Sequence, residues 1–369
     1  MAFDTWDNPM GTDGFEFIEY AAPDPAAMGR LFEQMGFKAI AKHRHKNVLL
    51  YRQGRINFIL NAEPDSFAQR FARLHGPSIC AIAFRVQDAA AAYKRALDRG
   101  AWGVDVRSGP MELNIPAIKG IGDSLIYLVD RWRGKGGRAG GIGDISIYDV
   151  DFEPLNQDTA EADAQWVGAG LDTVDHLTHN VHRGRMKEWS EFYERLFDFR
   201  EIRYFDIEGK ATGVKSKAMT SPCGKIRIPI NEEGNDKQGQ IQEYLDEYHG
   251  EGIQHIALGA QDIYRTVETL RAAGNTFLDT PDTYYELIDG RLPNHGEDVA
   301  RLQRNRILLD GAPKGGGLLL QIFTRTVIGP IFFEIIQRKG DDGFGEGNFK
   351  ALFESIELDQ MRRGVVKAG

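Results

Sequence analysis

Residues 75–100, HGPSICAIAFRVQDAAAAYKRALDRG, and residues 249–274, HGEGIQHIALGAQDIYRTVETLRAAG, are two copies of one pattern, 174 positions apart and without a gap. His, Gly, Ile, Ile, Ala, Gln, Asp and the closing Gly coincide. Each copy reads as a short strand, an Asp N-cap (Asp88 or Asp262), a helix, and a glycine stop. Such a repeat constrains the chain more than any single motif, because one structural unit must be built twice.

Two looser pairs extend it. FIEYAAPDPAAMGRLFEQMGF (17–37) parallels TVDHLTHNVHRGRMKEWSEFYERLFDF (173–199), a strand, a turn and a helix with core-facing Met28, Leu31, Phe32 and Met35 or Met186, Trp189, Tyr193 and Leu196. SLIYLVDR (124–131) parallels IFFEIIQR (331–338), apolar strands that end in Arg. The expectation is an α+β protein of two tandem domains, which suits 369 residues. The first spans 1–155, a polar, aperiodic linker spans 156–170, and the second spans 171–369.

Between the halves, polar residues differ where the apolar frame agrees. His255 faces Ala81 and Glu334 faces Tyr127, while His176 faces Glu19 or Tyr20, depending on where the gap falls. The second half thus carries a His, His, Glu set that the first lacks. Two imidazoles and one carboxylate make the facial set of non-haem iron(II) oxygenases and leave coordination positions open. His179 lies on the opposite strand face and is expected to be a hydrogen-bonded structural residue.

The net charge of −9 and pI near 5.6 argue against nucleic acid or an anionic membrane surface as a partner. No apolar run is long enough for a membrane span. Two isolated cysteines and an N-terminus without a signal pattern set a reducing, cytoplasmic expectation. GKGGRAG (134–140) precedes no helix, so it is not a dinucleotide loop, and neither a P-loop nor a Gly-x-Ser-x-Gly elbow occurs. Near the C-terminus the glycine-rich GDDGFGEGNF leads into an amphipathic FKALFESIELDQM, with Phe349, Leu352, Phe353 and Ile356 on one face. A lid helix at about 341–361 is the expected result.

VDHLTHNVHRGRM, GIQHIAL with QDI after it, LLLQIFT, FFEIIQR and GFGEGNFKALFESIE together resemble the catalytic domain of the 4-hydroxyphenylpyruvate dioxygenase family, over about residues 170–360. The resemblance implies paired βαβββ modules that form a half-closed barrel in each half, plus the C-terminal helix. It implies Fe(II) on His176, His255 and Glu334. It places Ser216, Pro229, Asn231 and Gln240 at the ring end of the substrate, and Gln254 and Gln321 near the metal. Phe323, Phe332 and Phe349 would form an aromatic wall, with Phe344 at the gate. The implied substrates are a 2-oxo acid, 4-hydroxyphenylpyruvate, and O2. The implied products are homogentisate and CO2, in tyrosine and phenylalanine catabolism, made by a homo-oligomer. The alternatives are 4-hydroxymandelate synthase, which has the same fold and substrate, and a glyoxalase-fold isomerase or binding protein.

Overall fold

A computed structural model of the chain describes residues 5–105, 108–109, 111–132, 145–208, 213–235, 239–311, 317–348 and 351. Among these, the first half carries strands β1 (Phe15–Ala21), β2 (Lys38–His43), β3 (Val48–Gln53), β4 (Ile56–Asn61), β5 (Ser78–Arg85), β6 (Gly103–Val104), β7 (Ala117–Lys119), β8 (Leu125–Val129) and β9 (Phe152–Pro154). The second carries β10 (Leu171–Asn180), β11 (Arg200–Glu208), β12 (Gly213–Thr220), β13 (Arg227–Glu233), β14 (Gly252–Ala260), β15 (Leu308–Gly311), β16 (Leu318–Phe323) and β17 (Phe332–Lys339).

The sheet orders are β6-β7-β8-β5-β1-β4-β3-β2-β9 and, read from the matching edge, β15-β16-β17-β14-β10-β13-β12-β11. Strand for strand these are one topology, with β9 added at one edge. In both, the central pair is antiparallel (β1 with β5, β10 with β14) and is flanked by parallel neighbours. Asp88 and Asp262 cap their helices by accepting from the Ala91 and Arg265 amides, and Gly100 and Gly274 close them at φ +88° and +93°. Only glycine adopts that conformation without strain.

Register fixes the equivalences. Ala83 pairs with Tyr127 as Ala257 pairs with Glu334, in agreement with the expected match of Tyr127 to Glu334. In the central pairs, Ile18 meets Ile82 and Ala21 meets Ser78, while Leu177 meets Ile256 and Asn180 meets Gly252. His176 therefore stands where Phe17 stands, and neither Glu19 nor Tyr20 is its counterpart. β-Bulges between Phe15 and Ile18 and between Val174 and His176 shift the register there.

One face of each sheet is buried beneath its helices in a continuous core that includes Ile18, Tyr20, Phe58, Leu177, Ile256 and Phe333. Phe58 and Phe333 stack across the halves at 6.1 Å. Each fully buried side chain of this size contributes roughly 1.5–3 kcal/mol. The other face differs between halves. In the first it is filled by Phe17, Ile59, Ala83 and Val129, with Leu113, Ile115, Trp132 and Tyr148 packed on them. In the second, that face carries the polar site.

Residues 156–170 contain a short helix, Ala160–Ala164, and are docked on the first half. Asp163 pairs with Lys38 at 2.5 Å, and the Ala169 amide donates to Gln53 Oε1 at 2.6 Å. No helix among the described residues is long and apolar enough to cross a membrane. The loop at 134–140 lies outside the described residues, but the stretch after it, expected not to be helical, holds a one-turn helix, Ile147–Asp151, capped by Ser146.

Candidate metal centre

His176, Ala257 and Glu334 form one cross-strand row over β10, β14 and β17, and His255 stands two residues earlier on the same face of β14. Adjacent strands are about 4.8 Å apart, so His176 and Glu334 straddle two strand spacings. Ala257 between them offers only a methyl group, and the long side chains lean together over it. His176 Nε2 lies 3.2 Å from Glu334 Oε2, His255 Nε2 lies 3.3 Å from the same oxygen, and the two nitrogens are 3.4 Å apart. Among the described residues this is the one His/Cys/Asp/Glu group arranged to hold a metal ion.

Each imidazole is oriented from behind. His176 Nδ1 faces Asp175 Oδ1 at 2.8 Å, and His255 Nδ1 faces Gln254 Oε1 at 3.0 Å. With both Nδ1 atoms as N–H donors, both Nε2 atoms present lone pairs to the centre, as an outer carboxylate or amide arranges in metal sites. Asp175 is in turn held by Arg338, which donates from Nε and Nη2 at 2.7 and 2.8 Å.

Two lone pairs and a carboxylate oxygen thus converge, and Glu334 Oε1 is buried without a partner. The Thr178 hydroxyl, 3.0 Å from His255 Nε2, is the donor at hand. A cation satisfies all of these acceptors at once, and the donor set fits a divalent metal. Burial works to raise the Glu334 carboxyl, but His176 and His255 outweigh it and pull it down to about 2. Burial also works against a charged His176; Glu334 and Asp175 override this and raise its pKa, whereas for His255 burial prevails and the pKa falls.

Around this centre, Phe332 stacks on His255 at 4.9 Å, Phe323 meets the same ring at 6.4 Å, and Phe344 meets His176 edge-on at 5.3 Å. Gln321 is buried on β16 with its Oε1 unpartnered, and Gly345 abuts its carboxamide. Farther along the sheet, Ser216 pairs with Asn231, Pro229 with Ala218, and Asn231 also with Asn180. Gln240 opens the helix Gln240–Tyr248 and is exposed. Phe349 and most of the expected lid helix lie outside the described residues. Sequence reasoning missed Asp175, Arg338 and Thr178. The signal for Asp175 was its place immediately before a ligand histidine; Arg338 was masked because Arg131 ends the matching strand of the first half.

A duplicated half-barrel with a His, His, Glu centre in one copy defines a candidate metal-dependent protein of the fold group that contains glyoxalases and dioxygenases. The profile described as "Hydroxyphenylpyruvate dioxygenase, HPPD, N-terminal" matches residues 6–153, and the "Glyoxalase/Bleomycin resistance protein/Dioxygenase superfamily" profile matches residues 173–287. The chain is 58% identical to a 4-hydroxyphenylpyruvate dioxygenase of a Pseudomonas species, covering 98% of this chain and 99% of that one. It is 60% identical to hemolysin VllY of Vibrio vulnificus, covering 97% and 98%. A solved mutant of 4-hydroxymandelate synthase from Streptomyces coelicolor is similar at 26% identity and a TM-score of 0.78, covering 95% and 100%. The chain belongs to the 4-hydroxyphenylpyruvate dioxygenase family.

Proposed function

We propose that this protein converts 4-hydroxyphenylpyruvate and O2 to homogentisate and CO2, with Fe(II) held by His176, His255 and Glu334. The observation that supports this most is the convergence of those three side chains on one face of the second sheet, in a chain 58% identical to dioxygenases of that name. Iron bound there supplies the redox chemistry with oxygen, and the 2-oxo acid itself supplies electrons, so no nicotinamide or flavin is needed.

The protein's own share is orientation and exclusion of water. Asp175 and Gln254 fix the imidazole tautomers, and Glu334 gives the centre its one negative charge. Phe332, Phe323 and Phe344 wall off solvent, and the Gln321 carboxamide meets the substrate's oxo-acid end through its NH2 donor. We place the phenol end at Ser216, Pro229, Asn231 and Gln240, and Phe349 in the aromatic wall. The second half, 171–369, is the catalytic domain in this reading, and the segment from about 341 to 361 its lid. It acts in the cytoplasm as a homo-oligomer, with no nucleic-acid or membrane partner.

The test is anaerobic reconstitution with Fe(II), then addition of substrate and oxygen, with oxygen uptake and chromatography of the products. A dominant 4-hydroxymandelate peak would name the synthase instead. No oxygen uptake in an iron-loaded protein would remove the dioxygenase reading.

A further inference from the structure

Arg338 touches both the support of a ligand and the backbone leading to the gate. Its Nε and Nη2 hold Asp175, whose Oδ1 accepts from His176 Nδ1. Its Nη1 donates to the carbonyls of Asp341 at 3.0 Å and Gly343 at 2.6 Å. Its guanidinium lies 5.7 Å from the ring centre of Phe344, and that ring meets His176 at 5.3 Å. The contacts close a ring: Arg338, Asp175, His176, Phe344, and back to Arg338. Arg227 reinforces it from β13, 3.5 Å from Asp175 and 3.1 Å from Asp342.

The segment so held is seated further along. Gly345, at φ +79°, lies against Gln321; the Gly347 amide donates to Asp310 at 2.8 Å; and Tyr284 Oη donates to Asn348 Oδ1 at 2.6 Å. A purely structural ion pair would need only the fork of Arg338 on Asp175. The remaining nitrogen instead reaches two carbonyls of the chain that carries Phe344, and a fork with a third, differently directed donor is what arginine alone provides.

We propose that Arg338 is a positioning residue that couples the seating of residues 341–348 to the orientation of His176, so that metal binding and closure of this segment favour each other. The proposal rests on His176 being a metal ligand. Coupling of this kind is reciprocal: whatever seating does for metal affinity, metal does for seating.

The full-length protein is titrated with Mn(II), a redox-silent probe, by chelator competition, and hydrogen exchange of residues 341–348 is followed with and without metal. In the wild type, metal slows exchange across the segment. In Arg338→Gln, metal binding weakens roughly 10–100-fold, the usual cost of removing an outer partner, and exchange no longer responds to metal. Arg338→Lys keeps the charge beside Asp175 but not the two carbonyl contacts; it holds metal better than Arg338→Gln, with a reduced exchange response. It carries the test if the Gln variant does not fold. Metal affinity in Arg338→Gln within twofold of wild type, or an undiminished exchange response in either variant, overturns the coupling. A wild type that binds no Mn(II), or binds it equally after His176→Ala, overturns the metal centre and with it this inference.

Discussion

Phe17 and Tyr127 meet ring to ring at 5.6 Å in the first sheet, at the positions that His176 and Glu334 hold in the second. Ala81 completes the comparison with His255. One scaffold thus has two interiors: an apolar plug in one copy, and three converging acceptors in the other. Asp175 has a first-half counterpart in Glu16, which has turned to a different partner, Arg85, at 2.6 Å.

The plugged copy has no room to regain the site. Phe17→His, Ala81→His and Tyr127→Glu together would bury three polar groups against Leu113, Ile115 and Trp132. Each buried group left unpartnered costs about 1–3 kcal/mol, and a charge costs more. The triple variant is expected to lose its folded circular-dichroism spectrum or to melt at least about 10 °C lower. A stable variant that binds a second metal would show that the plug is soft.

The three centre residues give the opposite expectation. His176→Ala, His255→Ala and Glu334→Ala should each lose iron and activity while the apo-protein folds, since each removal relieves a knot of acceptors. Iron at about 100 times its dissociation constant adds about 2.7 kcal/mol, so a chelator should lower the wild-type melting temperature by roughly 5–10 °C. It should leave the three variants unmoved. Scanning calorimetry with and without chelator reads this, and a full chelator response in any variant would sink that residue's assignment.

Much of this was legible in the sequence. The β5 and β14 copies align without a gap because neither acquired an insertion, so Ala81 and His255 matched at once. The counterpart of His176 was misread because the turn from strand to helix is longer in the second half, 181–185 against 22–24, so an alignment of the apolar runs leaves the offset of the strands open. The role of Arg338 was invisible for another reason: its contacts are to backbone carbonyls and to a carboxylate 163 positions away. Residues 156–170 read as a bare linker, since their anchors, Lys38 and Gln53, come from distant strands.

His179, on the far side of β10 from the centre, bonds Tyr193 Oη at 2.7 Å and is fully buried. Burial depresses its pKa from 6.5 to about 3, so the folded protein keeps it neutral while the unfolded chain protonates near 6.5. Its stabilising contribution is complete above pH 6.5 and is lost as pH falls towards 3, by at most about 1.4 kcal/mol per pH unit. Urea denaturation of wild type and His179→Gln at pH 7.5, 6.0 and 5.0 should therefore converge on the acid side. A gap that is constant or widens would contradict the buried neutral histidine.

Gly345 is expected to act through Gln321. At φ +79° any side chain is strained by about 1 kcal/mol, and a Cβ there would overlap the Gln321 carboxamide. Compared at saturating iron, Gly345→Ala should lose about tenfold or more in kcat/KM, as small misplacements in an oriented site do. Unchanged kinetics would mean that Gln321 does not face the substrate.

The last prediction concerns the phenol end. Ser216 and Asn231 are directly paired across β12 and β13, so their side chains emerge side by side on one face, and Pro229 lies on that same face. An amide and a hydroxyl so placed can donate to and accept from one phenol oxygen. A site built for that oxygen loses its partner when the hydroxyl is absent, which leaves buried polar groups unpaired at about 1–3 kcal/mol. Asn231→Ala should therefore cost roughly 5–150-fold in kcat/KM with 4-hydroxyphenylpyruvate, the same energy expressed as a rate ratio. With phenylpyruvate, which lacks the hydroxyl, the same variant should change far less, because the contact removed was never made. Steady-state oxygen uptake with both substrates, in wild type and variant at matched iron, forms the cycle. Equal losses on the two substrates would move the phenol end away from this strand pair and leave the metal centre untouched.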